Sequence, residues 1–275
     1  MSEIHAGTIS VFLRAAFLPV MALCFIFNGC SGKSESERLS LIAAIQQDIA
    51  DTDRSPAAYY RKSYAPIEPR YWTKIAAWMV EDSINRSNIQ SRPVSSILDL
   101  GCGYGTLLAF SSDVYGAAGT CLDVVPYLQP EIMNKYNLSF IECNIEKDPF
   151  PDDKQYDVII MTEVLEHLNF QPVPTLRKAC DSLSDGGAFF LSTPDADSGW
   201  GRTMEHYASL DDIPAVDPDA EWVDGHIWQY NQRELEGILH EAGFEILRLE
   251  HSEGIQGKHF NVWATKRMEP KDLRK

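Results

Sequence analysis

Residues 95–123 read SSILDLGCGYGTLLAFSSDVYGAAGTCLD and constrain the fold more than any other stretch. Ile97, Leu98 and Leu100 form a short apolar run that carries Asp99, and glycines follow at 101, 103 and 105. A helix-like segment comes next, then a second apolar run that ends on Asp123. Strand, glycine turn, helix and strand in this order open a nucleotide-binding α/β sheet. The glycines let the backbone turn sharply and approach a ligand where a Cβ would collide. An aspartate at the tip of the second strand offers two acceptor oxygens to the hydroxyls of a ribose. The expectation is a ribose-bearing ligand.

The spacing narrows the choice. A dinucleotide site usually carries G-x-G-x-x-G, whereas Gly101, Gly103 and Gly105 make G-x-G-x-G. Taken alone the pattern leaves a nicotinamide-dependent oxidoreductase open as an alternative. Leu108 and Ala109 stand where a third glycine would be sought and give that alternative no support. The tighter spacing favours a ligand without a pyrophosphate, one whose amino-acid portion lies against the loop.

Further motifs follow in order: CLDV at 121–124, ECNIEKDPFP at 142–151, YDVIIMTEVLEHL at 156–168 and SLSDGGAFFLSTP at 182–194. With LDLGCGYG they resemble the class I S-adenosylmethionine-dependent methyltransferases, the EVLEHL segment being similar to the ubiquinone-pathway O-methyltransferases. The resemblance covers roughly residues 95–194 and continues more weakly to 267. It implies a Rossmann-like, seven-stranded, mostly parallel sheet with helices on both faces and an antiparallel last strand. It also implies S-adenosylmethionine as cofactor and methyl transfer to an oxygen, nitrogen or carbon of a small-molecule or lipid-linked acceptor. A non-catalytic S-adenosylmethionine-binding or regulatory domain is the alternative, since an intact cofactor half says nothing of the acceptor half.

Carried over residue by residue, the resemblance places the backbone of Gly101, Cys102, Gly103 and Gly105 along the methionine portion. Asp99 would hold the loop and, through a water, the amino group. Asp123 would bind the ribose hydroxyls with Val124 beside the adenine, and Asn144 and Ile145 would meet the adenine ring. Many members carry Asp where Asn144 stands; its amide still offers an acceptor to the exocyclic amine. Glu163 completes the cofactor set. For catalysis the candidates are His167, Glu166 and His226. If residues 162–167 begin a helix, Glu163, Glu166 and His167 share one face. His167 then serves as general base polarised by Glu166. The same groups also suit a divalent metal, with His226 as an added ligand, and the third reading is a simple pocket wall. No metal is assigned.

Composition limits the partners. The chain carries 40 acidic and 24 basic residues, a net charge of −16. Such a field repels a phosphate backbone, so no nucleic-acid partner is expected. The six cysteines (24, 30, 102, 121, 143 and 180) form no C-x-x-C pair and no metal-finger spacing. They read as small apolar core residues.

Residues 1–33 read as a hydrophobic signal-like or anchor segment with its linker. Ala15–Phe27 is an apolar run of 13 residues, short of the ~20 a spanning helix needs. Arg14 precedes it, and Asn28-Gly29-Cys30 follows as in a lipoprotein signal. Because S-adenosylmethionine is a cytoplasmic metabolite, the expectation is a cytoplasmic catalytic domain with membrane association through residues 9–30. Residues 34–92 read as an N-terminal helical cap, 93–267 as the catalytic domain and 268–275 as a tail.

Within the cap, SGKSESER (31–38) reads as a linker, Leu39–Ala50 as an amphipathic helix and 68–86 as a second. Tyr59, Tyr60, Tyr64 and Tyr71 are candidates for ligand contact, though aromatic packing is their commoner role. Strands are expected near 96–100, 118–123, 138–143, 156–161, 187–192, 244–251 and 259–266. Residues 231–243 read as a helix ending at Gly243, and 253–258 as a hairpin connection. The insert at 195–230 is acidic, aromatic and aperiodic. It follows the fifth strand at the ligand-binding edge of the sheet and is expected to be a substrate lid.

Overall fold

The computed structural model describes residues 34–53, 58–87, 92–151, 155–199, 201–202 and 206–267. The expectations for residues 1–33, including membrane association through 9–30, and for the 268–275 tail lie outside the described residues. Among the described residues no helix is long and apolar enough to cross a membrane.

Seven strands form one sheet: β1 (Ser96–Leu100), β2 (Ala118–Asp123), β3 (Leu138–Glu142), β4 (Tyr156–Thr162), β5 (Leu183–Pro194), β6 (Phe244–Glu253) and β7 (Lys258–Lys266). Their spatial order is β3-β2-β1-β4-β5-β7-β6. The first five run parallel, and β7 lies antiparallel between β5 and β6. The central strands β1, β4, β5 and β7 are apolar on both faces because both faces are covered, whereas the edge strands β3 and β6 are largely half-buried or exposed. Leu98, Leu100, Ile159, Met161, Phe189 and Leu191 enter one core with α6 (Pro172–Ser182) and α7 (Gln232–Ala242). Their neighbours Ile97, Val158, Ile160, Ala188 and Phe190 enter the other. That second core also takes α1 (Glu35–Thr52), α3 (Thr73–Asn85), α4 (Thr106–Tyr115) and α5 (Pro130–Tyr136). The chain order reverses between β1 and β4, where a crevice opens outside the carboxyl ends of the strands.

Local chemistry sets several element ends differently from the sequence reading. Residues 35–38 are not linker but the first turn of α1. Ser34 caps it, its Oγ accepting from the Glu37 amide while the Glu37 carboxylate accepts from the Ser34 amide. The expected 68–86 helix is broken at Trp72, which leaves helical geometry (φ −124°, ψ 27°) and buries its indole. A four-residue α2 (Glu68–Tyr71) is thereby set apart from α3. β5 begins at Leu183 rather than 187, because Leu183 pairs with Tyr156 ahead of an irregularity in the register. α7 matches its expected limits, with a capping box from Asn231 and Glu234 and a left-handed Gly243 at its end.

The covering helices are locked to one another through one buried carboxylate. Glu68 Oε1 accepts from Gln46 Nε2 of α1 at 3.0 Å, Tyr60 OH at 2.7 Å and Thr106 Oγ1 at the start of α4 at 2.8 Å. Burial raises the Glu68 pKa against the opposing effect of these three donors. Tyr60 is thus core, and its neighbours Tyr59 and Tyr64 are carried to the crevice.

Candidate active site

The loop between β1 and α4 is shaped by glycines with left-handed backbone: φ is +74° at Gly101 and +53° at Gly103. A Cβ on Gly101 would stand 2.5 Å from Val164 Cγ2, so the close approach of the loop to the end of β4 requires glycine. A Cβ on Gly103 would meet nothing within 4 Å, since that side of the residue faces open space. The loop is held from below by Asp123. Its Oδ2 accepts from the Gly103 amide at 2.9 Å and its Oδ1 from the Val125 amide at 3.0 Å. Burial raises the Asp123 pKa, and the backbone amides pull it back down. Asp99 lies beneath the loop, 2 % exposed. Burial and the neighbouring Asp123 push its pKa well up, favouring the protonated acid.

The reading of Cys102 and Cys121 as unpaired core residues is corrected: they form a disulfide with Cα atoms 5.6 Å apart. The parallel register sets Asp99 opposite Cys121 and Leu100 opposite Leu122, which brings the loop's cysteine over β2. Cys143 and Cys180 are free and buried, as expected.

A cavity of about 630 Å³ opens at the carboxyl ends of β1, β2 and β4. Of the residues singled out from sequence, Gly101, Gly103, Asp123, Val124, Asn144, Ile145, Glu163 and His167 line it. Asp99, Cys102, Gly105, Glu166 and His226 stand outside the lining. The Asn144 Oδ1 accepts from the Glu146 amide at 3.0 Å and the Lys147 amide at 3.2 Å and so caps a turn at the cavity wall.

Residues 162–167 do not form the expected shared helix face. Glu163 has φ +55°, and a 3₁₀ turn begins only at Leu165. A left-handed non-glycine residue costs about 1–2 kcal/mol and persists where its surroundings hold it. Here the Glu163 amide donates to Ser192 O at 2.9 Å, and its Oε1 accepts from Ser192 Oγ at 2.7 Å. Its Oε2 lies 2.8 Å from Nδ1 of His259, which is fully buried. The reversal sends Glu166 inward, where it is 1 % exposed and accepts from Thr193 Oγ1 at 2.9 Å. Burial, then the nearby Glu163, push the Glu166 pKa well up.

His167 is the histidine of the turn that faces the cavity. Its Nε2 lies 4.0 Å from Glu166 Oε1 and its Nδ1 3.8 Å from Asp224 Oδ1, both beyond hydrogen-bond distance. Glu166 thus stands near the His167 ring without a hydrogen bond to it. The geometry does bring His226 to His167, with the rings edge-on and centroids 4.7 Å apart. Burial lowers the His167 pKa despite the opposing Asp224. Burial and then the His167 charge lower that of His226 to about 4. Both rings are consequently neutral at pH 7. One ligand atom from each of Glu166, His167 and His226 lies within 4.8 Å of the others, a nitrogen–nitrogen–oxygen set suited to a divalent ion.

The 195–230 insert is fastened to this turn. Glu166 O accepts from the amides of Ile227 at 2.7 Å and Trp228 at 3.2 Å. The Asn169 amide side chain and the Val223 backbone pair reciprocally, at 3.0 and 2.7 Å. Lys147 donates to the carbonyls of Pro218 and Ala220. Trp222 and Asp224 of the insert thereby line the cavity, opposite Tyr59, Tyr64, Tyr104 and Tyr127. Sequence reasoning missed His259, Trp222, Asp224, Tyr104 and Tyr127. It also left Tyr71 among the general tyrosines; its ring lies 4.5 Å from that of His259. The order of motifs gave no reason to single out a histidine in the last strand.

Known proteins match this chain in sequence and in fold. A family model described as a methyltransferase domain matches residues 57–249. The chain is 34% identical over 127 residues to a sphingolipid C9-methyltransferase of Komagataella phaffii, covering 41% of this chain and 26% of that protein. It is 32% identical over 126 residues to the mitochondrial ubiquinone biosynthesis O-methyltransferase of Candida albicans, covering 42% of this chain and 38% of that protein. The chain thus spans well under half the length of these curated relatives. Among solved structures, magnesium protoporphyrin IX methyltransferase from Synechocystis PCC 6803 with bound S-adenosylmethionine superposes with a TM-score of 0.51. That match covers 82% of this chain and 91% of the other at 16% identity, a likeness of fold.

Proposed function

The chain belongs to the methyltransferase domain family, and from that premise we propose that it is a class I S-adenosylmethionine-dependent enzyme. Its acceptor is a small-molecule or lipid-linked oxygen, nitrogen or carbon. The observation that carries this reading is the pairing of Asp123 with the glycine loop on the wall of the cavity. Both carboxylate oxygens are aimed by backbone amides, and the carboxylate lines the cavity where it can accept from ribose hydroxyls. Gly103 leaves room beside them for the amino-acid end, and Ile145 and Val124 offer apolar surface to a base.

Bound there, S-adenosylmethionine supplies an electrophilic methyl group on a sulfonium. The enzyme's share is alignment of the acceptor and removal of its proton. His167 faces the cavity as a neutral imidazole, with His226 against it. We assign the proton to His167, with His226 packed edge-on against its ring. The relatives named for sphingolipid and ubiquinone chemistry, and the exposed aromatic rim of Tyr59, Tyr127 and Trp222, favour an acceptor with apolar bulk. The 195–230 insert acts as its lid. The catalytic domain works on the cytoplasmic side, where the cofactor is made.

A second reading of the same cluster has its own support in the convergence of Glu166, His167 and His226. These three would hold a divalent ion, whose charge would acidify an acceptor hydroxyl.

The test is calorimetric titration of the full chain with S-adenosylmethionine and S-adenosylhomocysteine, followed by a labelled-methyl acceptor screen with Mg²⁺ or with chelator. Micromolar binding with turnover supports the enzyme. Binding without turnover on any acceptor class points to the regulatory alternative. No binding by folded protein overturns the proposal, and loss of turnover in chelator selects the metal reading.

A further inference from the structure

The Cys102–Cys121 disulfide lies within the cofactor loop itself. Cys102 stands between Gly101 and Gly103, two residues whose left-handed backbone shapes the wall of the cavity. Cys121 lies two residues before Asp123 on β2. The bond therefore runs parallel to the Gly103–Asp123 hydrogen bond of 2.9 Å and ties the same loop to the same strand. With the bond formed, the cavity is open and both Asp123 oxygens are held by backbone amides. The oxidised state is thus arranged to bind rather than closed against binding.

Exposure is unequal between the two sulfur-bearing residues. Cys121 is fully buried, whereas Cys102 is partly exposed. The other described cysteines, Cys143 and Cys180, are buried and free. An external nucleophile therefore reaches this pair from the Cys102 side.

We propose that Cys102 and Cys121 form a thiol–disulfide exchange site for low-molecular-weight thiols and disulfides, coupled to the cofactor site through the loop they share. The coupling rests on the S-adenosylmethionine reading above. In the reducing direction an external thiolate attacks Cys102 Sγ, forming a mixed disulfide and expelling the Cys121 thiolate into its buried position. A second external thiolate attacks the external sulfur of that mixed disulfide. The Cys102 thiolate leaves and a small disulfide is released. Two external thiols have then given two electrons and two protons, and the chain holds two thiols. Oxidation is the reverse, with a low-molecular-weight disulfide as oxidant.

Reduction removes the covalent tie between the loop and β2 and leaves two hydrogen bonds to hold it, Gly101 N–H to Leu122 O at 2.7 Å and Gly103 N–H to Asp123 Oδ2 at 2.9 Å. The cofactor then has to order a loop that the disulfide had already placed. Linkage makes the coupling reciprocal: whatever factor reduction takes from cofactor affinity, bound cofactor returns to the stability of the disulfide.

The experiment uses the full chain, oxidised with glutathione disulfide or reduced with dithiothreitol, with the state of each cysteine read by alkylation and mass spectrometry. S-adenosylmethionine is titrated calorimetrically into both forms. The reduced form is expected to bind about 5- to 50-fold more weakly, within the usual range of coupling between sites. In glutathione redox buffers, saturating S-adenosylmethionine should shift the disulfide equilibrium towards oxidation by the same factor. Reoxidation should restore affinity, and Cys121→Ser should bind weakly and ignore reductant. Should Cys121→Ser fail to fold, the reversible wild-type cycle carries the test.

Equal affinity in both forms overturns the coupling while leaving the cofactor reading intact. No binding in either form overturns the cofactor reading itself. Alkylation of both cysteines under oxidising conditions removes the exchange site. A reductant effect that persists in Cys121→Ser assigns it to other thiols and overturns the proposal.

Discussion

Replacing Asp123 tests the proposed site at its most specific point. Its Oδ2 and Oδ1 each accept one backbone amide, from Gly103 at 2.9 Å and Val125 at 3.0 Å. The Val124 amide also acts on the carboxylate, and the acceptor capacity that remains faces the cavity for the ribose hydroxyls. A hydrogen bond to a charged group is worth about 1.5–3 kcal/mol. Losing two at the low end of that range gives about 3 kcal/mol, or roughly 150-fold in Kd, for Asp123→Ala. Asp123→Asn is the sharper substitution because it keeps the shape. Whichever way its amide is turned, the nitrogen meets a backbone N–H, Gly103 in one orientation and Val125 in the other. A donor then faces a donor, and either the loop or the side chain must shift. The expectation is a loss of about 2 kcal/mol, roughly 30-fold in Kd for S-adenosylmethionine. Calorimetric titration gives the affinities, and a thermal melt of each variant separates a binding loss from a folding loss. An Asp123→Asn variant that melts like the parent and binds within about threefold of it would refute the reasoning.

Two further expectations concern the base and the loop. His226 titrates near pH 4 and His167 below its ordinary value, both through burial. The base form thus survives acidification past pH 6.5, and the acid limb of the kcat profile should have its midpoint below 6.5. The same depressed values mean that unfolding takes up protons between the ordinary histidine pKa and the folded one. The histidine contribution to stability should therefore fall as pH drops from about 6.5 towards 4. The buried Asp99, Glu68 and Glu166, whose pKa values are raised, work in the opposite direction. The melting-temperature difference between the parent and His226→Gln isolates the histidine part, and a difference flat across that window contradicts the assignment. Gly101→Ala places a Cβ 2.5 Å from Val164 Cγ2 at φ +74° and should cost about 2–4 kcal/mol in chemical denaturation. Adding Val164→Ala should recover the steric part and leave about 1–2 kcal/mol of backbone strain; additive losses would show that the clash is not the cause.

The parts of the fold that were legible are those where local pattern and tertiary demand agree. β1, β2 and the loop between them carry apolar alternation, glycines and a terminal aspartate in one continuous segment, and each lies where that pattern puts it. The helix 232–242 announces both its ends, at Asn231 and Gly243. The capping box of Ser34 and Glu37 was equally present in the sequence, yet the polarity of 31–38 masked it as a linker. Other features depend on contacts far apart in the chain. The disulfide needs the β1–β2 register, which places residues 19 apart side by side. Glu163 was set on a helix face because i, i+3 and i+4 spacing assumes helical backbone. Ser192 and His259, from β5 and β7, instead hold it left-handed. His259 lies in an otherwise strand-like apolar run, KHFNVWATK, where nothing local distinguishes a buried polar partner from a surface residue.

The attachment of residues 195–230 to the turn after β4 bears on how anything enters or leaves. Ile227 and Trp228 hang from the main-chain oxygen of Glu166, and Val223 is clasped by Asn169. Lifting this covering as a body would pull on the backbone beneath the carboxylate–histidine group and strip it of its geometry. Tyr59, Tyr127 and Trp222, all of them about half exposed, line the cavity where it meets solvent. Under the proposed function, an acceptor that enters past these rings presents its reactive end and leaves a long tail outside, so that girth selects before chemistry does.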